Sequence, residues 1–379
     1  MRILFQYLSG GGGGLSNIIL LLGAYAREFP GDELIVVCSR GSDLEQLSPL
    51  PNVTLVTIPL GRAKEWTRFR LGMSGLRRLA ATHRPDAVWS LNLGAYRRLP
   101  VPNLLAVNNP HQVYPLAITR LHPGTPLRAA LLRFFFRRSL AVADAALLQT
   151  PLMADYLRKV PGAPRRVFVV PKAVEGEADV RNDPLPAALA EQLSRARDRG
   201  GRLWLYVSTA LPHKNHAMIL TAFDELARRE SHECLVLTIS AGEAEAIGGA
   251  RATALLGSGR VIAAGWVRKH HLRALYGACD ACVMPSLLES LSSAHLEAME
   301  WGKPQIAADL PYARDLCGDA ALYVPAETPV AWADAIADLS GDAARRDDLV
   351  TRGKARIAEF PPTWNECARR VRDGLAALL

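Results

Sequence analysis

Long apolar runs are missing from this chain of 379 residues. No stretch approaches the roughly 20 consecutive apolar residues that cross a bilayer as a helix. No charged-then-apolar leader is expected, since Arg2-Ile3-Leu4-Phe5 reads directly as a strand. Cysteine is scarce: Cys38, Cys234, Cys279, Cys282, Cys317 and Cys367 are scattered, mostly within apolar segments. That usage points to a reducing cytoplasm rather than a disulfide scaffold. Cys279 and Cys282 have the spacing of a redox or zinc half-site, but no second pair accompanies them. They straddle the start of an apolar strand, which favours core packing. Internal repeats are absent, and low complexity is confined to Gly10–Gly14. The expectation is a cytoplasmic protein, with peripheral contact at the inner face of the cytoplasmic membrane left open.

Charge is unevenly spread. Residues 1–178 hold 22 Lys and Arg against 11 Asp and Glu, whereas the remainder holds 23 against 26. An acidic partner is therefore expected for the first half only. No stacking or zinc motif accompanies the basic surplus, so nucleic acid is not expected and an anionic membrane surface fits better. The segment Arg128–Arg138, with Phe134–Phe136 between arginines, could seat on such a surface by apolar insertion plus charge attraction. Core packing with a solvated basic edge explains it equally well.

The length favours two domains, each large enough for its own core, and 49% hydrophobic with 22% charged residues is a soluble globular composition. Strand-like runs at Arg2–Leu8, Leu34–Cys38, Val53–Ile58, Ala87–Leu91, Asn103–Val107, Ala145–Gln149 and Val167–Val170 alternate with helical patterns. They predict a doubly wound α/β domain over 1–178. The polar stretch Glu175–Gly201, with two prolines and a closing Gly-Gly, reads as a connector, drawn at 179–201. A second Rossmann-like unit is expected over 202–358, opening with strand Leu203–Val207, and a last helix over 359–379.

The first strand runs into five glycines and then a helix from about Leu15 to Glu28. Gly13 and Gly14 stand where a bare backbone can approach a ligand or phosphate, although a plain flexible turn is the alternative. A dinucleotide site would want an acidic residue after the second strand, and Ser39-Arg40-Gly41 stands there instead.

The most informative stretch is Pro285–Lys303, PSLLESLSSAHLEAMEWGK. A strand ends at Pro285, a loop carries Glu289, and a helix starting near Ser292 carries Glu297. Small residues at Ser290, Ser292 and Ser293 would let a diphosphate approach the positive end of that helix. Two carboxylates so placed can accept hydrogen bonds from sugar hydroxyls, or can be two solvated glutamates on an amphipathic helix. Pro285-Ser286, Glu289, Glu297-Ala298-Met299, Gly302 and Pro304 match P-S-x-x-E-G-F-G-x-x-x-x-E-A-M-x-x-G-x-P. The chain thereby resembles the retaining, nucleotide-sugar-dependent glycosyltransferases of family 4. Where that family has Gly-Phe-Gly, this chain has Ser290-Leu291-Ser292.

The resemblance implies the GT-B fold, with two Rossmann-like domains facing each other across a cleft. The first would bind the acceptor, the second the nucleotide-sugar donor, and the last helix would cross back to the first. It implies that Glu289 binds the donor sugar and Glu297 the ribose hydroxyls. It places Lys214 and Asn215 on the diphosphate, with Thr209 where the family carries an arginine. It makes Trp266 and Val267 candidates for holding the base through backbone atoms, although Trp266 also fits plain core. The loop Asn108–Pro115 resembles the one that carries a histidine beside the reacting centre, so His111 is the candidate there; a solvated histidine is the other reading. Attack would come from the face of the departing diphosphate, with no enzyme nucleophile. No catalytic base is named.

The expected function is transfer of a hexose from GDP-mannose or a UDP-hexose to a hydroxyl acceptor. A lipid-linked or polysaccharide intermediate of cell-surface glycan synthesis, such as lipopolysaccharide, is the expected acceptor class. The expected catalytic group is Glu289, His111 and Lys214. No cofactor is expected, and no divalent metal, since the motifs contain no Asp-x-Asp. Two alternatives stay open. Thr209 and Ser290-Leu291-Ser292 fit a non-catalytic subunit that binds a partner transferase or glycan. The glycine loop fits a nicotinamide oxidoreductase.

Overall fold

The structure is a computed structural model that describes residues 1–8, 13–61, 64–115, 126–174 and 182–379. The chain divides into two units, Met1–Ala173 with Pro361–Leu379, and Val174–Phe360. In the first, β1 (Arg2–Tyr7), β2 (Glu33–Ser39), β3 (Val53–Ile58), β4 (Ala87–Leu91), β5 (Asn103–Val107), β6 (Ala145–Leu148) and β7 (Arg166–Val169) form one parallel sheet. Its order is β3-β2-β1-β4-β5-β6-β7. The second unit holds β8 (Leu203–Tyr206), β9 (Cys234–Leu237), β10 (Val261–Ala263), β11 (Ala281–Met284), β12 (Gln305–Ala308) and β13 (Leu322–Val324), again all parallel. Their order is β10-β9-β8-β11-β12-β13.

Both sheets are doubly wound, as the alternation of strand and helix patterns predicts. The physical cause is composition. Strands such as AVWSL in β4 and ACVM in β11 are buried along their whole length, which requires helices on both faces of the sheet and hence parallel crossovers. The order of each sheet reverses beside its first strand, between β1 and β4 and between β8 and β11. In open α/β sheets that reversal leaves a crevice at the strands' carboxyl ends where ligands bind.

The expected connector 179–201 holds a helix among its described residues. The second unit begins at Val174, and Ala187–Arg197 is a helix that buries Leu189, Leu193 and Ala196. A sparse apolar stripe at helical spacing outweighs the polar composition of this stretch. At the N-terminal side, the helix Gly13–Glu28 starts two residues earlier than expected, taking in Gly13 and Gly14. Gly10–Gly12 of the glycine loop lie outside the described residues.

The last helix, Trp364–Ala376, packs on the helix Gly13–Glu28 within the first unit. Cys367, Ala368, Val371 and Leu375 join Leu22 and Tyr25 in one buried cluster. The polar end of this contact is Asp32, itself 4% exposed. It accepts from the Met1 amino group at 2.5 Å, Arg372 Nε at 2.8 Å and Tyr25 Oη at 2.9 Å. Burial pushes the Asp32 carboxyl up, but bonds from Arg372, the Met1 amino group and Tyr25 outweigh it and hold it below its ordinary value.

A depressed carboxylate contributes stability above its unfolded pKa and loses it as pH falls through the folded value. Asp32→Ala should therefore lower unfolding stability at pH 7 by about 1–3 kcal/mol. Chemical denaturation at descending pH should find the gap from wild type closing below the ordinary Asp value of 3.8. A gap independent of pH would refute the charged role.

Candidate active site

The loops after β8 and β11 emerge side by side at the reversal point of the second sheet. After β8 the chain passes through a single 3-10 turn, Pro212–Lys214, and Asn215 takes a left-handed conformation (φ 58°) before the helix His216–Arg228. After β11 it runs from Pro285 to Ser292 and enters the helix Ser293–Glu300. The two loops are tied together through Tyr206, the buried last residue of β8. Its hydroxyl donates to the Lys214 carbonyl at 2.8 Å and lies 2.8 Å from Ser286 Oγ. Leu287 N donates to the His213 carbonyl at 2.7 Å, and Tyr312 Oη to the Ser286 carbonyl at 2.5 Å.

On this frame Lys214 Nζ meets Glu289 Oε1 at 2.5 Å, with the two side chains 16% and 13% exposed. Burial pushes the Glu289 carboxyl up. The Lys214 charge and hydrogen bond, with help from Ser286, reverse that and hold it below the ordinary range. Glu289 is thus an ionised carboxylate kept almost out of water. Its neighbour His213 is pushed down by burial and by Lys214, and His216, bonded to Ser208 Oγ at 2.9 Å, is pushed down to about 4. Both imidazoles are neutral at pH 7.

Glu297 lies in the second turn of the helix Ser293–Glu300, half-buried. Tyr276, fully buried on the helix Lys269–Ala278, lies with its hydroxyl 3.1 Å from Glu297 Oε2 and 3.3 Å from the Ala294 carbonyl. The helix Ser293–Glu300 ends in a Schellman motif: Lys303 N donates to the Ala298 carbonyl at 2.7 Å and Gly302 N to that of Met299 at 3.2 Å. Gly302 carries the positive φ of 62° that this cap demands, which accounts for a glycine at that place.

The remaining sequence candidates divide. Ser290 and Ser293 are half-buried at the loop and helix start, and Ser292 is the N-cap residue, buried. Leu291 is 6% exposed, so any ligand contact would come through its backbone. Asn215 gives its amide group to the Pro285 and Ala326 carbonyls at 3.2 and 3.0 Å, which ties the loops together. Thr209 is exposed in the same loop as Lys214. Trp266 is 76% exposed, so the plain-core reading of it fails; Val267 beside it is half-buried. His111 belongs to the first unit, buried on the short helix Pro110–Val113, where Asn109 caps the helix and Arg133 bonds the His111 carbonyl at 3.0 Å. That is not a solvated loop histidine.

The first unit has its own cavity of about 180 Å³, at the carboxyl ends of β1 and β4. Gln6, Arg68, Asn92, Tyr96, Asn109 and Gln112 are among its lining residues. The amide oxygens of Gln6 and Gln112 are buried with no hydrogen-bond partner among the described residues. Among those residues no cluster of three His, Cys, Asp or Glu side chains could hold a metal ion. Cys279 and Cys282 are free and buried, with burial pushing Cys279 up to about 12.

Two family models match the chain, Glycosyltransferase Family 4 over residues 12–177 and Glycosyl transferases group 1 over residues 191–356. The chain belongs to the family 4 glycosyltransferases. A curated relative, D-inositol 3-phosphate glycosyltransferase of Frankia alni, is 31% identical over 226 residues, 55% of this chain and 52% of the relative. The match therefore spans about half of that relative's length. HepE of Anabaena, solved in complex with UDP and glucose, superposes over 100% of both chains with TM-score 0.72 at 16% identity. Sucrose-phosphate synthase of Thermosynechococcus elongatus superposes over 100% of this chain and 98% of its own, with TM-score 0.73 at 17% identity. At such identity these structures establish the fold, which is GT-B.

Within this family member the supporting tyrosines, Tyr206, Tyr276 and Tyr312, were not legible in the sequence. Each sits on a different helix or strand from the group it holds, and no local spacing marks it.

Removing one partner of the Lys214–Glu289 pair strands the other's charge. Lys214→Met should lower stability at pH 7 by about 3 kcal/mol, the lower end of the range for a buried pair. Because the Glu289 pKa is depressed, the pair's contribution is present above the ordinary Glu value of 4.5 and lost as pH falls through the folded value. Denaturation curves should show the penalty shrinking in acid, and an equal penalty at pH 7 and in acid would count against an ionised Glu289.

Proposed function

We propose that this chain is a retaining hexosyltransferase that moves a hexose from a nucleoside diphosphate sugar to a hydroxyl acceptor without a divalent metal. The observation that carries this reading is the ionised Glu289 held by Lys214 at 2.5 Å at the sheet's reversal point, with Glu297 on the helix that follows the same loop. In this proposal the diphosphate lies against the positive end of the helix Ser293–Glu300, beside Ser292 and Ser293, and Lys214 adds a point charge. Glu289 accepts from hydroxyls of the transferred sugar. Glu297, oriented by Tyr276, accepts from the ribose hydroxyls. Fixed positive potential at the departing diphosphate is the main source of acceleration. Attack comes from the same face, and no enzyme nucleophile is assigned.

Neighbours solved with UDP and with UDP-glucose favour a UDP-hexose as the donor to try before GDP-mannose. The first-unit cavity supports a hydroxyl-bearing acceptor, whose donors would satisfy the Gln6 and Gln112 amide oxygens. A lipid-linked or polysaccharide intermediate remains the proposed acceptor class. A non-catalytic subunit is the second reading, favoured by Thr209 and Ser290-Leu291-Ser292. Multiple turnovers from the purified chain alone would overturn it.

Calorimetric titration with a panel of nucleotide sugars tests the donor site. One donor should bind to wild type, Glu297→Ala should lose that binding, and Tyr276→Phe should weaken it by about 1 kcal/mol, some fivefold. Failure of every donor to bind would sink the proposal. For the acceptor, Gln6→Leu should raise acceptor KM while leaving donor affinity unchanged; an unchanged acceptor KM would remove the cavity from the reading.

A further inference from the structure

Eight large hydrophobic side chains stand exposed among the described residues, and four of them lie on two helices of the first unit. Trp66, on the helix Lys64–Arg70, is 59% exposed. Leu127, Leu131 and Phe134, on the helix Pro126–Ala141, are 80%, 53% and 62% exposed. Positions 127, 131 and 134 fall on one helical face, so the exposure forms a stripe. The two helices are joined by rings: Trp66 stacks on Phe69 at 5.2 Å, Phe69 meets Phe135 at 5.4 Å, and Phe135 meets Phe134 at 5.4 Å between centroids. Phe136 points the other way and is 1% exposed. The Phe134–Phe136 run therefore splits, with one ring outward, one in the stack and one in the core.

The surroundings of this patch are cationic. The two helices carry seven Lys and Arg against a single acid, Glu65, which is paired with Arg68. Lys64, Arg70, Arg137 and Arg138 are exposed, as are Arg77 and Arg78 on the following helix Leu76–His83. The whole first unit holds 25 basic against 11 acidic residues, whereas the second holds 20 against 26. Within each unit the proposed sugar chemistry uses none of these exposed side chains.

We infer that this face, Trp66 with Leu127, Leu131 and Phe134 together with the exposed Lys64, Arg70, Arg137 and Arg138 of the same two helices, docks the first unit on an anionic lipid bilayer. Tryptophan and phenylalanine enter the interface, and the cations meet lipid phosphates. No helix among the described residues is long and apolar enough to cross a membrane, so the insertion is shallow. A second copy of the chain is the poorer occupant, because a two-fold contact would set like cations against one another. Nucleic acid would leave Leu127 and Leu131 without a partner. The inference stands apart from the donor and acceptor assignments, since binding to lipid needs neither.

Flotation of the full chain with vesicles of phosphatidylglycerol and phosphatidylcholine, against phosphatidylcholine alone, tests it. The chain should float with the anionic vesicles only. The double variant Trp66→Ser with Phe134→Ser should weaken binding at least tenfold. Arg70→Glu with Arg137→Glu should do the same, and added salt should weaken wild type by screening. All four positions are exposed, so circular dichroism should find both variants folded. Absence of wild-type binding to anionic vesicles, or binding that both variants retain, would overturn the inference. So would a concentration-dependent dimer of wild type that the Ser variants abolish, which would give the patch to a second copy.

Discussion

One ion pair constrains the second unit. A lysine and a glutamate from loops 75 positions apart meet at 2.5 Å with little access to water. Neither charge would be tolerated there alone, since a stranded buried ion costs several kcal/mol. Together they hold Glu289 ionised against the upward push of burial. The surrounding bonds make sense as the scaffold for that pair. Tyr206 bridges the two loops, Asn215 ties the first loop to the Pro285 and Ala326 carbonyls, and Tyr312 grips Ser286. Hydroxyl groups do this work because a neutral donor can bridge backbone and side chain inside a core without adding charge.

The pair also explains why the reversal point of the sheet matters chemically. Carboxyl ends of parallel strands gather loop backbone and helix starts at one edge, and the positive ends of helix dipoles gather with them. An anionic ligand gains from that field. In the proposed donor site Glu289 and Glu297 have to be held so that they accept hydrogen bonds without repelling the anion. Lys214 shields one, and the Tyr276 hydroxyl meets the other at 3.1 Å.

The fold was largely legible. Fully apolar strands alternating with helical patterns announce parallel sheets, because only double-sided burial tolerates them. Glu289, Glu297, Lys214 and Gly302 were singled out by the resemblance of their segments to family 4 motifs, since spacing alone fits two solvated glutamates and a surface lysine as well. Less local features escaped. The helix Ala187–Arg197 was hidden by charge and proline in a stretch that reads as connector, and its stripe of Leu189, Leu193 and Ala196 counts only once there is a sheet to bury it. Trp266 shows the reverse: its type suggests core, while its place after β10 leaves it 76% exposed.

The sequence alone determined the strands of both sheets and most of the helices, where loops carry carboxylates and a lysine, and that the first half is basic. Those properties follow from local periodicity and composition. Tertiary structure alone decided that Lys214 touches Glu289, that Asn215 binds carbonyls and Tyr276 supports Glu297, and that Phe134 points outward while Phe136 is buried. The physical reason is that these outcomes depend on partners far away in the chain. Burial, pairing and the direction of a side chain are set by what the folded sheet brings alongside it, and no window of neighbouring residues contains that information.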